Sequence, residues 1–283
     1  MRILLSGSEG FTGYYVRREL EENGHEVIGL QADLSDPAAV DEEVCEIQPE
    51  GVIHLAAISF VGHGDASDFY RVNLIGTRNL LVALAKHVSN IQCVLLASSA
   101  NIYGNTTEGV INETVAPSPV NDYAVSKLAM EYMARLWMEK LPIVITRPFN
   151  YTGVGQSISF LVPKIVDHFR RGESEIELGN LDVARDFSDV RTVAVIYRKL
   201  VENHAAGEVF NVCSGKAFSL SDVLSMMSEI AGYAIKVKVN PEFVRAGEVK
   251  CLVGSADKLA SRVGEQDRIP LRSTLEWMYS EKV

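Results

Sequence analysis

The chain has 283 residues, 47% of them hydrophobic and 23% charged, with a formal net charge of −10. That is the profile of a soluble globular protein, long enough for one large α/β unit or two unequal lobes. The acidic balance argues against a nucleic-acid partner, and no run approaches the roughly 20 apolar residues that span a bilayer. The four cysteines, Cys45, Cys93, Cys213 and Cys251, lie far apart, without the short paired spacing of a zinc site. They read as reduced thiols, no metal is expected, and with no charged leader before the first apolar run the expected location is cytoplasmic.

Residues 3–5 form a short apolar run that stops at Gly7, the pattern of a buried parallel strand. A helix is predicted over about 12–23, with Gly24 as its stop signal, and a strand over 25–30. Asp36 and Pro37 open a second helix reaching about residue 47. Then come a strand at 52–57, a long helix at 68–87, a strand at 93–98, a helix at 123–140 and a strand at 143–147. This alternation predicts an α/β fold with a doubly wound parallel sheet. After Asn150 the regularity weakens, and Gly153, Gly155, Pro163, Gly172 and Gly179 interrupt the pattern. A strand-like piece at 209–213 and a helix at 221–232 follow. Residues 1–150 with about 188–213 are read as one domain, and 151–187 with 214–283 as a smaller C-terminal lobe.

The loop Gly7-Ser8-Glu9-Gly10-Phe11-Thr12-Gly13 repeats glycine at every third position between the first strand and the first helix. A dinucleotide pyrophosphate needs close backbone approach and a helix N-terminus, and glycine at this place permits both. The first domain therefore reads as Rossmann-like and NAD(P)-binding, with Gly7, Gly10, Phe11 and Gly13 at the cofactor. The second strand ends in Gly29-Leu30-Gln31, with Asp33 and Leu34 just after it. Asp33 and Leu34 are read on the cofactor side, where Asp33 can meet the adenosine or simply begin a turn, and no Arg follows, so NAD and NADP both stay open. Arg17 and Arg18, on the first helix, read as solvated.

Tyr123 and Lys127 lie four apart in a helical segment, which puts phenol and ammonium on one face. A neighbouring ammonium is expected to lower the phenol pKa from about 10, so that Tyr123 can exchange a proton as hydride moves at a carbinol carbon. Ser99 follows the fourth strand, at the edge where open α/β sheets place ligands.

These residues carry a resemblance. Gly7, Gly10 and Gly13, the stretch His54-Leu55-Ala56-Ala57, Asn73 in Val72-Asn73-Leu74-Ile75-Gly76-Thr77, Ser98-Ser99-Ala100-Asn101-Ile102-Tyr103-Gly104, Tyr123 with Lys127, and Arg147-Pro148-Phe149-Asn150 resemble the extended short-chain dehydrogenase/reductase family, in the expected order along most of the chain. The resemblance implies Ser99, Tyr123 and Lys127 as a catalytic triad. It adds Leu55, Ala56, Ala57 and Asn73 to the cofactor side, with Asn73 supporting the site geometry. His54 is read as structural. The helices at 68–87 and 123–140 are candidates for a homodimer interface, or they face the sheet.

Leu178-Gly179-Asn180-Leu181-Asp182-Val183-Ala184-Arg185-Asp186 resembles a segment of GDP-mannose 4,6-dehydratases and GDP-4-keto-6-deoxy-mannose reductases, and the stretch 147–156 is closer to the reductases. The resemblance implies a nucleotide-sugar substrate, with Arg185 and Arg245 at the diphosphate and Asn150 and Asn180 nearby. Guanidinium matches phosphate oxygens bidentately. Dehydration needs a further acid/base group, and the two places after Ser99 hold Ala100 and Asn101, which exchange no proton at neutral pH. Reduction of a 4-keto-6-deoxyhexose is therefore expected first, giving a GDP-D-rhamnose-like product, with 4-epimerisation second and 4,6-dehydration third. A non-enzymatic dinucleotide sensor is disfavoured by the presence of both Tyr123 and Lys127.

Overall fold

The computed structural model describes residues 1–59, 65–105, 109–181, 183–243 and 251–281. The chain begins β1 (Arg2–Ser6), α1 (Phe11–Glu22), β2 (Glu26–Gly29), α2 (Pro37–Ile47), β3 (Gly51–His54). Asp36 caps α2 by accepting from the N–H groups of Ala38 and Ala39, and Pro37 sits where no N–H is needed. α3 (Ala66–Asp68) then runs into a π-helical stretch, Phe69–Gly76, and on into α4 (Thr77–His87). The single helix expected over 68–87 is thus interrupted by wider turns. Next come β4 (Cys93–Ala97), a short 3₁₀ turn at Ala100–Tyr103, β5 (Val110–Ile111), α5 (Asp122–Arg135) and β6 (Ile143–Pro148). Asn121 caps α5 on the N–H of Ala124, and the helix stops at Arg135 because residues 136–140 bend into turns.

The chain continues with β7 (Asn150–Thr152), α6 (Leu161–Arg170), β8 (Glu175–Leu178), β9 (Ala184–Asp189), α7 (Val190–Glu202) and β10 (Val209–Val212). It closes with β11 (Ala217–Ser219), α8 (Leu220–Ala231), β12 (Lys236–Val239), β13 (Cys251–Gly254), α9 (Asp257–Val263) and α10 (Leu271–Ser280). Ser219 and Asp222 form a reciprocal capping box at the start of α8, and Gly232 ends it in the left-handed region.

Six strands form one parallel sheet in the order β10-β6-β4-β3-β1-β2. Its inner strands are buried on both faces: Ile3, Leu5, Ile53, Leu95 and Val144 meet one face's core with Val193, Tyr197 and Leu200 of α7, while Leu4, Val52, Val94 and Ile145 meet the other with Val40, Leu80 and Met130. Such double burial explains the continuous apolar runs of the sequence. β9 organises a second sheet with β11, β13, β5 and β7, and β8 pairs with β12. A separate core of Ile165, Phe169, Leu178, Leu220, Met227 and Leu275 backs these elements. Among the described residues no helix is long and apolar enough to cross a membrane.

Candidate active site

Strand order reverses between β1 and β3, so the crevice at their C-terminal ends is where an α/β sheet of this kind receives a ligand. The glycine loop fills that place. Gly7 has φ +71°, and a Cβ there would lie 2.9 Å from the backbone N of Ala56. A Cβ on Gly13 would overlap the Gly7 carbonyl. The loop therefore lies flat on the segment that follows β3, and α1 starts with no side-chain cap on its N–H groups. This is a cradle of the shape a pyrophosphate requires.

The segment after β3 is held by buried polar groups. Ser6 Oγ accepts from the N–H groups of Leu55 and Ala56 and lies 2.6 Å from His54 Nδ1. His54 Nε2 lies 2.8 Å from Thr77 Oγ1, which itself donates to the Asn73 carbonyl. Both imidazole nitrogens are thus engaged inside the protein, and burial followed by the nearby Lys127 charge pushes His54 down to about 3. Asn73 sits in the π-helical stretch. Its Oδ1 accepts from Ile58 N–H, and its Nδ2 donates to Ile58 O and to Ser126 Oγ. Its amide is thus engaged by protein groups and holds the segment that follows β3. A π-bulge is a frequent device for aiming one side chain in this way.

At the end of β2, Asp33 accepts from Ser35 N–H and Oγ, both at 2.8 Å, which holds its carboxyl below the usual range. It forms the turn that was one of its two readings. Leu34 is buried in the core beneath Gly76, and its carbonyl accepts from Asn79.

Ser99, Tyr123 and Lys127 converge at the C-terminal end of β4. Lys127 Nζ donates to the Ala97 carbonyl at 2.8 Å. Ser99 Oγ accepts from Asn101 N–H at 3.1 Å, and the Ser99 side chain bears on the Tyr123 phenol. Burial pushes the phenol up to about 12, against the opposing pull of Ser99. The expected lowering by Lys127 is not found, because the loss of water around the buried phenol outweighs every other influence on it. Lys127 is itself pushed down to about 8 by burial, with Glu131 opposing. The helix that carries both is fixed to β6 by Arg147, whose Nε and Nη2 donate to the two oxygens of Glu131 at 3.0 and 2.7 Å, and whose Nη1 donates to Tyr103 Oη.

β7 continues past the C-terminal end of β6, carrying Asn150 exposed opposite Phe187 of β9. Arg185 lies on β9, partly exposed, and Nη1 donates to the Ala184 carbonyl. Strand alternation sends its neighbour Asp186 inward, where the carboxylate accepts from Ser214 N–H and Oγ, Gly215 N–H and Gly254 N–H. Arg185 and Asp186 are thus strand residues and not a surface turn. Asn180 is half-buried in the loop between β8 and β9. Arg245 and Asp182 lie outside the described residues.

One residue escaped the sequence reading and another, Arg17, was read as solvated. Tyr151 stacks on Phe11 at 6.2 Å and its Oη lies 2.9 Å from Thr12 Oγ1, which ties β7 to the glycine loop. Arg17 reaches across to Gly29. Glycine near the end of a strand marks close approach by another group, and that was the available signal.

The profile of the NAD dependent epimerase/dehydratase family matches residues 3–213. The chain belongs to that family. It is 36% identical over 292 residues to a GDP-6-deoxy-D-talose 4-dehydrogenase of Aggregatibacter actinomycetemcomitans, covering 100% of this chain and 98% of the relative. It is 32% identical over 297 residues to a GDP-6-deoxy-D-mannose reductase of Pseudomonas aeruginosa, covering 99% and 96%. Among solved structures, RMD from Pseudomonas aeruginosa complexed with NADPH superposes with a TM-score of 0.90 at 30% identity, covering 99% of this chain and 98% of that one. A Burkholderia cenocepacia J2315 chain, provisionally described as an epimerase, superposes with a TM-score of 0.93 at 51% identity, covering 98% and 96%. The expected Rossmann-like sheet and the expected family are both borne out, and the chain is a nucleotide-sugar-modifying enzyme of an NAD-dependent family.

Proposed function

We propose that this enzyme reduces the C4 ketone of a nucleotide-linked 4-keto-6-deoxyhexose, with GDP-4-dehydro-6-deoxy-D-mannose as substrate and GDP-D-rhamnose as product. The observation that carries the reading is the convergence of Ser99, Tyr123 and Lys127 beside the glycine cradle, with the phenol held protonated. A neutral phenol is the form needed to give a proton to a developing alkoxide. Bound NADPH or NADH supplies the hydride to C4. The electrons of the C4–O π bond move to oxygen, which takes the Tyr123 proton while the Ser99 hydroxyl orients it. Lys127 keeps a positive charge beneath the site below about pH 8.

In this reading residues 1–150 and about 188–213 hold the dinucleotide, with Gly7, Gly10, Phe11, Gly13, Leu55, Ala56 and Ala57 around it. Residues 151–187 and 214–283 hold the nucleotide sugar, with Asn150, Asn180, Arg185 and Arg245 toward its diphosphate and sugar. The reaction belongs in the cytoplasm, and the enzyme works as a homodimer.

A second reading keeps the same chemistry and changes the face of C4 that receives hydride, giving the 6-deoxy-D-talose product; the talose-type relative favours it. The test is to incubate the enzyme with NADPH or NADH and fresh GDP-4-dehydro-6-deoxy-D-mannose, follow absorbance at the nicotinamide band, and identify the sugar by NMR. Stoichiometric cofactor loss supports reduction, and the C4 configuration selects between the products. Interconversion of 4-epimers without net cofactor loss would replace the reductase with an epimerase. Tyr123→Phe is expected to lower kcat by roughly 10²- to 10⁴-fold.

A further inference from the structure

Arg17, one helical turn beyond Gly13 on α1, does not extend into solvent as expected. A Cβ built on Gly29, the last residue of β2, would lie 2.6 Å from Arg17 Nη2 and 2.5 Å from Ser8 Oγ. The guanidinium therefore lies over the bare backbone of Gly29, against the glycine loop. Any larger residue at 29 would displace it.

This is the end of β2, where a dinucleotide fold reads the adenosine ribose. A carboxylate there takes the 2′-hydroxyl of NAD, and a guanidinium takes the 2′-phosphate of NADP. The carboxylates near this point have partners within the protein. Asp33 Oδ1 accepts from Ser35 N–H and Oγ, with Arg71 acting on the carboxylate. Glu43 accepts from the N–H groups of Gln31 and Ala32 at 2.9 and 2.6 Å. The side chain at the strand end is neutral: Gln31 folds back, and its Nε2 donates to the Gly29 carbonyl. Among the described residues the charged partner of Arg17 is Glu9, 3.9 Å away with its side chain 86% exposed. That pair is long and wet, so it holds the guanidinium weakly. Arg17 is 34% exposed, which leaves it reachable.

We propose that Arg17 is the cofactor-specificity residue of this enzyme, gripping the 2′-phosphate of NADP(H), so that NADPH and not NADH is the reductant. The inference rests on the dinucleotide-binding reading above. Guanidinium and phosphate form charge-assisted, bidentate hydrogen bonds, and NAD offers no equivalent group.

The test is direct binding, independent of turnover. NADP⁺ and NAD⁺ are titrated calorimetrically into the wild-type protein, Arg17→Gln and Gln31→Asp, with thermal melts reporting that each variant is folded. Wild type is expected to bind NADP⁺ at least 10-fold more tightly than NAD⁺ (a 10-fold ratio corresponds to about 1.4 kcal/mol). Arg17→Gln should cut that ratio at least 10-fold. Gln31→Asp should also cut it, by placing a carboxylate beside the 2′-phosphate, and this variant serves if Arg17→Gln does not fold. Equal affinities in wild type, or an Arg17→Gln protein that weakens both ligands alike, overturns the assignment while leaving the dinucleotide site intact. Binding of neither dinucleotide overturns the cofactor reading itself, and this assignment with it.

Discussion

At the residue scale, burial sets the protonation of the site. Tyr123 is held up to about 12 and Lys127 down to about 8. As pH rises through about 8, Lys127 loses its charge while Tyr123 remains protonated. The kcat/KM of ketone reduction is therefore expected to fall above about pH 8, a limb that should move to higher pH in Lys127→Arg. A limb that stays put in that variant would assign it to another group. His54 acts on stability. Its folded pKa, about 3, lies below the ordinary 6.5, so the unfolded chain binds the extra proton between those values. Stability is thus undiminished above pH 6.5 and declines as pH falls from there toward 3, by at most about 1.4 kcal/mol per pH unit from this group. His54→Gln should remove that slope from a series of urea melts. The shared face of Tyr123 and Lys127 and the strand-end place of Ser99 were legible in the sequence, while their grouping as a triad came from the family resemblance. The pKa of Tyr123 was not legible, because it depends on how many groups cover the phenol, which spacing does not carry.

At the element scale, α5 is placed by a charge pair rather than by apolar packing alone. Glu131 and Arg147 have side chains 1% and 4% exposed, and Arg147 also meets Tyr103. Removing one partner strands the other charge in the interior. Glu131→Ala is expected to cost about 3–5 kcal/mol of unfolding free energy and to lower kcat by loosening the helix that carries Tyr123; chemical denaturation and steady-state rates would measure both. The parallel strands β1, β3, β4 and β6 were readable because double burial demands unbroken apolar runs. α7 went unread although it packs eight of its residues inward, because no flanking glycine or proline marks its start after β9. The π-helical stretch was also hidden, since Phe69–Gly76 has the composition of an ordinary helix and only the bonding of Asn73 to Ile58 and Ser126 reveals its purpose.

At the scale of the whole molecule, the outer side of α5 is unusually apolar for a surface. Val125 is 38% exposed, Tyr132 56% and Leu136, just past the helix end, 79%, with Ile75 of the π-helical stretch at 46%. Apolar residues gathered on one helical face mark an interaction surface. If the proposed homodimer forms there, Leu136→Glu should shift the sedimentation profile from dimer to monomer while the melting temperature of the monomer stays close to that of the parent. A profile unmoved by this change would exclude Leu136 from the interface. The first sheet could be anticipated from the sequence in class and in most strands. The elements after Asn150 could not, since short strands such as β7, β8 and β11 are stabilised by partners far away in the chain and carry little pattern of their own.

β10 has a consequence for how the molecule can be taken apart. It returns from beyond the second sheet to cover β6, pairing Val209 with Ile145 and Val212 with Pro148. A single cut near residue 150 cannot then release the six-stranded sheet whole. A fragment stopping near residue 150 would leave β6, buried along its whole length in the intact chain, as a bare margin, the kind of edge that recruits other chains. Exchange of parts between related enzymes must instead swap two segments at once, at sites on either side of α7 and β10.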